Sequence, residues 1–259
     1  MRALMWSLYG IVFVVVGTTV VSVVSGRTPS VGTRVGDVLG SQNITVGTAT
    51  VGVSLAAFAA VILGVLTMTS EYGTSRPILA TFAAAPQRGR VLAAKITALA
   101  SAVAISSTAA LTVTDVLSAA LVHAHGWQFR AADPAVLLPL ALSALSLVVM
   151  SVVGFAFGAA LRATAGALSA AVITCWGLGP IAAIAASALN TPGVANIDLF
   201  TPETAAQFFY GFTLDWSART EAAAGGTFSL TLPAEAVVVG GWVALAAGIS
   251  YLCVRLRDA

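Results

Sequence analysis

The sequence predicts an all-α integral membrane protein with six transmembrane helices and both termini cytoplasmic. Composition is the first observation behind this. Of 259 residues, 58% are hydrophobic and 8% charged, whereas an ordinary soluble domain carries about 25% charged residues. A mean hydropathy of +0.96 is the second. Third, the apolar residues fall in runs of roughly twenty, long enough for a helix to cross a bilayer, and not in the alternating segments of a barrel strand. Lipid offers the backbone no hydrogen-bond partners, so spanning structure must satisfy its own. The bilayer is therefore the solvent. The net charge of +2, with no large basic cluster, argues against a nucleic-acid partner.

The spans are expected at about 3–24, 46–68, 96–121, 135–161, 165–189 and 236–254, all within one transmembrane domain of 1–259. The first is longer than the apolar core of a signal peptide and lacks a small-residue cleavage site, so it reads as an uncleaved span. The chain opens almost on that span. Residues 25–45 are rich in Gly, Ser and Thr and read as a loop; the Asn43-Ile44-Thr45 acceptor pattern within them is a weak signal. His123 begins a short loop that ends at Asp133, and Arg162 marks a tight turn between the fourth and fifth spans. Cys175 and Cys253 lie in apolar runs and read as small hydrophobes.

Between the second and third spans runs SEYGTSRPILATFAAAPQRGRVLAAK, from Ser70 to Lys95, which holds Arg76, Arg88, Arg90 and Lys95. Ile78, Leu79 and Phe82 share one face of a short helix, and Pro86 ends it because it lacks a donor and clashes with the preceding turn. A second segment, from Gln87 to Lys95, feeds the third span. The whole is a basic, amphipathic elbow on one membrane face.

Cations orient the chain. With the termini inside, Arg2, Arg76, Arg88, Arg90, Lys95, Arg162, Arg255 and Arg257 are cytoplasmic, while Arg27, Arg34, Arg130 and Arg219 are outside. Most acids fall outside: Asp37, Asp133, Asp198, Glu203, Asp215, Glu221 and Glu235.

Few residues offer chemistry. The sequence contains no phosphate-binding G-x-x-x-x-G-K-[ST], no nucleophile elbow and no H-E-x-x-H. His123 and His125 are two potential ligands in a polar loop, a pattern that ordinarily means solvated side chains. Asp115 is read as the one charge within a span; such a residue is costly in lipid and a functional candidate by default. It sits in the outer third of its helix, flanked by Thr112 and Thr114, so it either lines a transport path or reaches the interface or a neighbouring helix.

Residues 190–235 are too aromatic for a plain loop, with Phe200, Phe208, Phe209, Tyr210, Phe212 and Trp216. Aromatic rings with a polar handle favour the membrane interface. Thr201, Pro202 and Glu203 predict a helix start: a side-chain cap, a first-turn proline and an acid at the positive end of the helix dipole. Two readings remain open, an interfacial helix covering the bundle or a re-entrant outer gate bearing Phe208 and Phe209.

Glu71-Tyr72, Arg76, Ala80-Thr81-Phe82, Pro86, Arg88 and Ala94-Lys95 resemble the cytoplasmic segment after the second span of type-2 ABC transporter permeases. The ending, from Leu232-Pro233 through Trp242 to Arg257-Asp258-Ala259, is similar to the last span of actinobacterial members. The order of spans and the long segment before the sixth also fit. Gly73 directly after Tyr72, a slightly longer interval from Glu71 to Pro86, and the lack of an amphipathic helix before the first span depart from the family pattern.

The resemblance implies a permease subunit in the cytoplasmic (inner) membrane, pairing with a second permease copy or paralogue and with separate ATP-binding-cassette ATPase subunits. ATP and Mg would bind the partner, with no cofactor, metal or catalytic residue on this chain. The elbow would be the coupling helix, with Glu71, Tyr72, Arg76, Ile78, Leu79, Phe82, Pro86 and Arg88 contacting the ATPase. The expected function is export of a hydrophobic or amphipathic solute, along a path at a dimer interface where small residues of the second and fifth spans allow close approach. The alternative is a non-transporting membrane anchor or regulatory subunit.

Overall fold

The computed structural model describes residues 52–72, 88–124, 134–211 and 232–257. Every regular element among them is helical. In order these are α1 (Val53–Thr69) with a 3-10 turn at Ser70–Tyr72, α2 (Arg88–Ala124), α3 (Pro134–Leu161) and α4 (Thr164–Val172). A π turn (Ile173–Gly177), α5 (Leu178–Leu189), a 3-10 segment (Pro192–Phe200), α6 (Pro202–Gly211) and α7 (Leu232–Arg257) follow. Five stretches are long and apolar enough to cross a membrane: Val53–Tyr72, Gly89–Leu117, Leu137–Leu161, Thr164–Leu189 and Ala234–Cys253. The chain is a multi-pass membrane protein. The expected first span at 3–24 and residues 73–87 of the elbow lie outside the described residues.

Helices α1 and α3 form the centre. In lipid there is little hydrophobic gain in joining two helices, so close packing has to supply the attraction. Glycines provide it here. A methyl on Gly64 would fall 2.0 Å from the Ser151 carbonyl oxygen, one on Gly154 2.3 Å from that of Val61, and one on Gly158 2.9 Å from that of Val65. The two backbones therefore touch. Leu63, Leu147, Met150 and Phe155 fill the adjoining core and are at most 1% exposed. Gly64, in the expected second span, thus meets the expected fourth span of its own chain.

The same contacts fix direction. Gly154 faces Val61 and Gly158 faces Val65, so α1 and α3 run the same way. Helix α2 runs opposite to them, since Lys95 near its start pairs with Glu71 at the end of α1. Gly89 of α2 lies against Tyr251 of α7, so α7 finishes where α2 begins. One end of the bundle, the Lys95 end, thus gathers the close of α1, α3 and α7 and the start of α2.

Boundaries differ informatively at three places. Helix α2 is continuous for 37 residues, about 55 Å at 1.5 Å per residue and well beyond a hydrocarbon core of about 30 Å. The segment feeding the third span is its first turns, and His123, expected in a loop, lies in its last. Helix α7 begins at Leu232 instead of 236, because Pro233 and Glu235 suit a helix start. Glu235 is thereby drawn into the helix, and Asp115 is not the sole acid of the spans.

Buried hydroxyls find partners on their own helices. Ser143 donates to the Pro139 carbonyl at 2.7 Å, Ser146 to that of Ser143 at 2.7 Å, Ser107 to that of Ala104 at 3.2 Å and Thr114 to that of Leu111 at 2.8 Å. Such back-bonding lets small polar residues sit in an apolar bundle without an unsatisfied donor. Cys175 is buried as a small hydrophobe, 2% exposed.

Candidate functional site

At the Lys95 end, the residues that bracket the elbow are held by side chains. Glu71 accepts an ion-paired hydrogen bond from Lys95, joining the turn after α1 to the third turn of α2 across the 73–87 elbow. The Arg162 guanidinium lies 4.7 Å from the centroid of the Tyr72 ring, a cation–π geometry. Arg162 reaches there from a left-handed backbone position, φ 54°, which ends α3 and turns the chain into α4. Thr164 donates to the Thr69 hydroxyl at 3.1 Å. Glu71 is thus fastened to α2 and Tyr72 to the turn between α3 and α4, while Thr69 at the end of α1 is tied to α4. Of the other expected docking residues, Arg76, Ile78, Leu79, Phe82 and Pro86 lie outside the described residues, and Arg88 opens α2.

The second region is built by the chain after α5. Asn190 caps α5 in the left-handed conformation, φ 52°, and reverses the chain. The 3-10 segment then runs back along α5 until Asp198 rests on Gly179, where an added methyl would lie 2.0 Å from Asp198 Oδ1. Gly179 lies about 15 Å back from Leu189 at 1.5 Å per residue. At the bottom of this return, Trp242 donates its indole N–H to the Phe200 carbonyl at 2.8 Å. Trp242 is close to the midpoint of α7. The turn therefore sits midway along two of the long helices.

A polar knot sets the turn. The backbone N–H of Thr204 donates to Thr201 Oγ1 at 3.3 Å, the cap expected from the sequence. Thr201 Oγ1 donates to the Asp198 carbonyl at 3.0 Å, and Thr204 Oγ1 to Asp198 Oδ1 at 3.1 Å. Helix α6 then carries Phe208 and Phe209 in its last turns. Beside the turn, the wider π segment sets Trp176 face to face with Phe58 of α1, centroids 3.7 Å apart at 14°.

No family model and no curated protein matches this chain.

Two acids complete the inventory. Asp115 of α2 and Glu235 of α7 are 6% and 3% exposed, and Asp115 Oδ1 and Glu235 Oε2 have no hydrogen-bond partner. Asp115 was singled out by its place within an apolar run. Glu235 was missed, read as a loop acid; the Leu232-Pro233-Ala234-Glu235 start signal, weighed like that of Thr201-Pro202-Glu203, would have placed it in a helix.

Proposed function

We propose that the chain is the membrane-spanning permease subunit of an ATP-driven exporter, moving a hydrophobic or amphipathic solute with energy from a separate ATPase. The observation that carries this reading is the chain's return from Leu189 to the level of Gly179 and Trp242 before α6. A plain anchor needs only spans and loops. A segment folded back to mid-depth, held by a bonded turn instead of continuous helix, is the arrangement expected of a gate: irregular backbone is tolerated at such depth only where protein or a cavity satisfies it. On this reading 192–211 is re-entrant and faces the outer side, with Phe208 and Phe209 near its opening.

The Lys95 end supplies the complementary feature. Glu71 and Tyr72 are tied to α2 and to Arg162, so force on the elbow would pass directly to α1, α2 and α3. The sequence carries no phosphate-binding loop of its own. The elbow, with Arg76, Ile78, Leu79, Phe82, Pro86 and Arg88, is the surface for the ATPase, and a second permease copy or paralogue completes the path in the cytoplasmic membrane.

The test is co-purification with a P-loop ATPase followed by measurement of its ATP hydrolysis in liposomes. The expected result is hydrolysis stimulated by this chain, with stimulation lost in the Arg76→Ala/Phe82→Ala double variant. Hydrolysis indifferent to the chain would overturn the reading.

A further inference from the structure

A recess lies between α3 and α7 in the half of the bundle nearest Lys95. Buried Val153, Ala156 and Ala246 form its floor, while Leu245 and Ile249, both exposed, form its rim. The recess therefore opens sideways, toward the bilayer. Trp242 lines its end at mid-depth, and the indole N–H is taken up by the Phe200 carbonyl. With that donor engaged, no lining side chain offers a hydrogen bond, so the recess suits hydrocarbon.

Size and depth then select the occupant. From Trp242 to Ile249 the recess runs about 10 Å along α7 at 1.5 Å per residue. It holds at most about 330 Å³, which over that length is a cross-section of roughly 33 Å². A helix about 10 Å across needs nearly 80 Å², so a helix does not fit inside, whereas a single acyl chain does. Trp242 is near the midpoint of α7, and half a hydrocarbon core is about 15 Å, or ten residues. A chain that ends at Trp242 and leaves past Ile249 meets the interface near Leu252 and Cys253. Its head group then lies at the level of Arg255 and Arg257, in the last turn of the same helix. Gly89, packed against Tyr251, brings Arg88 and Arg90 of α2 to this end of α7. Among the described residues, the Lys95 end holds six cations, Arg88, Arg90, Lys95, Arg162, Arg255 and Arg257, and one acid, Glu71, which pairs with Lys95. Basic clusters at clefts between membrane helices bind anionic head groups.

We infer that the α3–α7 recess is a binding site for an anionic phospholipid of the bilayer, with one acyl chain in the recess and the phosphate at the level of Arg255 and Arg257. The site is independent of the exporter reading, and its test needs no ATPase.

The experiment follows Trp242 fluorescence in the full chain, with Trp6, Trp127, Trp176 and Trp216 replaced by phenylalanine, in phosphatidylcholine vesicles. Phosphatidylglycerol or phosphatidylcholine brominated on its acyl chains is added, since bromine quenches a tryptophan that it touches. Brominated phosphatidylglycerol should reach half-maximal quenching at about one-fifth of the mole fraction that phosphatidylcholine needs, the scale set by one cation beside anionic lipid. The Arg255→Gln/Arg257→Gln variant should lose this preference, and Leu245→Phe, which narrows the recess, should weaken quenching by both lipids. A reporter made by Ile173→Trp with Trp242→Phe, exposed on the π turn, should show no such preference. Equal quenching of Trp242 by the two lipids, a preference unchanged in the arginine variant, quenching unchanged in Leu245→Phe, or the same preference at Ile173 overturns the proposal. Absence of quenching at Trp242 also overturns it, since protein would then cover the recess. If the chain with four tryptophans replaced does not fold, the wild type is compared with Leu245→Phe by electron spin resonance of spin-labelled phosphatidylglycerol. A smaller immobilised fraction in Leu245→Phe supports the site, and an equal fraction overturns it.

Discussion

Trp242 reaches across from the middle of α7 to bond the carbonyl of Phe200, at the point where the 3-10 segment gives way to α6. This bond joins the returning segment to the last long helix. Trp242→Phe keeps the ring and removes the donor, leaving the Phe200 carbonyl without this partner. The expected cost is about 0.5–1.5 kcal/mol of local stability. Cysteine labelling at Val194 should become faster in the variant, while a reporter at Ser169 of α4 stays unchanged. Equal labelling rates would show that the bond does not hold the segment.

The α1–α3 contact makes a sharp prediction about glycine. Gly154→Ala and Gly64→Ala each drive a methyl into backbone of the facing helix, which cannot give way as a side chain can. Each should lose about 1–3 kcal/mol or more from overpacking. Gly166, with nothing within 4 Å of an added methyl, is the control. Gly166→Ala should leave thermal unfolding in detergent unchanged or slightly raised, since Ala favours helix over Gly.

The Glu71–Lys95 pair is partly exposed, with side chains 27% and 20% accessible. Its worth should be modest, up to about 1 kcal/mol. A double-mutant cycle with Glu71→Gln and Lys95→Met should show that coupling, and the exchange Glu71→Lys with Lys95→Glu should recover most of it. Strictly additive losses would mean that the pair contributes nothing to joining α1 and α2.

Orientation is open to direct measurement. Single cysteines at Ser30, Ser217 and Ala259, in a background lacking Cys175 and Cys253, should react with an impermeant thiol reagent in intact cells at the first two positions only. Labelling at Ala259 would reverse the assignment of the termini.

Much was legible in the sequence because lipid is a demanding solvent. Runs of about twenty apolar residues have few conformations open to them, so the spans at 135–161 and 165–189 coincide almost residue for residue with α3 and with Thr164–Leu189. The start of α6 was legible for a local reason: Thr201, Pro202 and Glu203 satisfy the first turn within a few residues of chain. What only the tertiary structure decided depends on partners distant in sequence. That Gly64 meets Ser151, that Asp198 fits against Gly179 and that Phe200 meets Trp242 follow from how the helices lie together, because small residues permit close approach without specifying to what. The burial of Glu235 belongs to both levels. Its place in a helix was written in Pro233 and the residues around it, but whether that helix start faced water or the bundle was settled by the packing of α7.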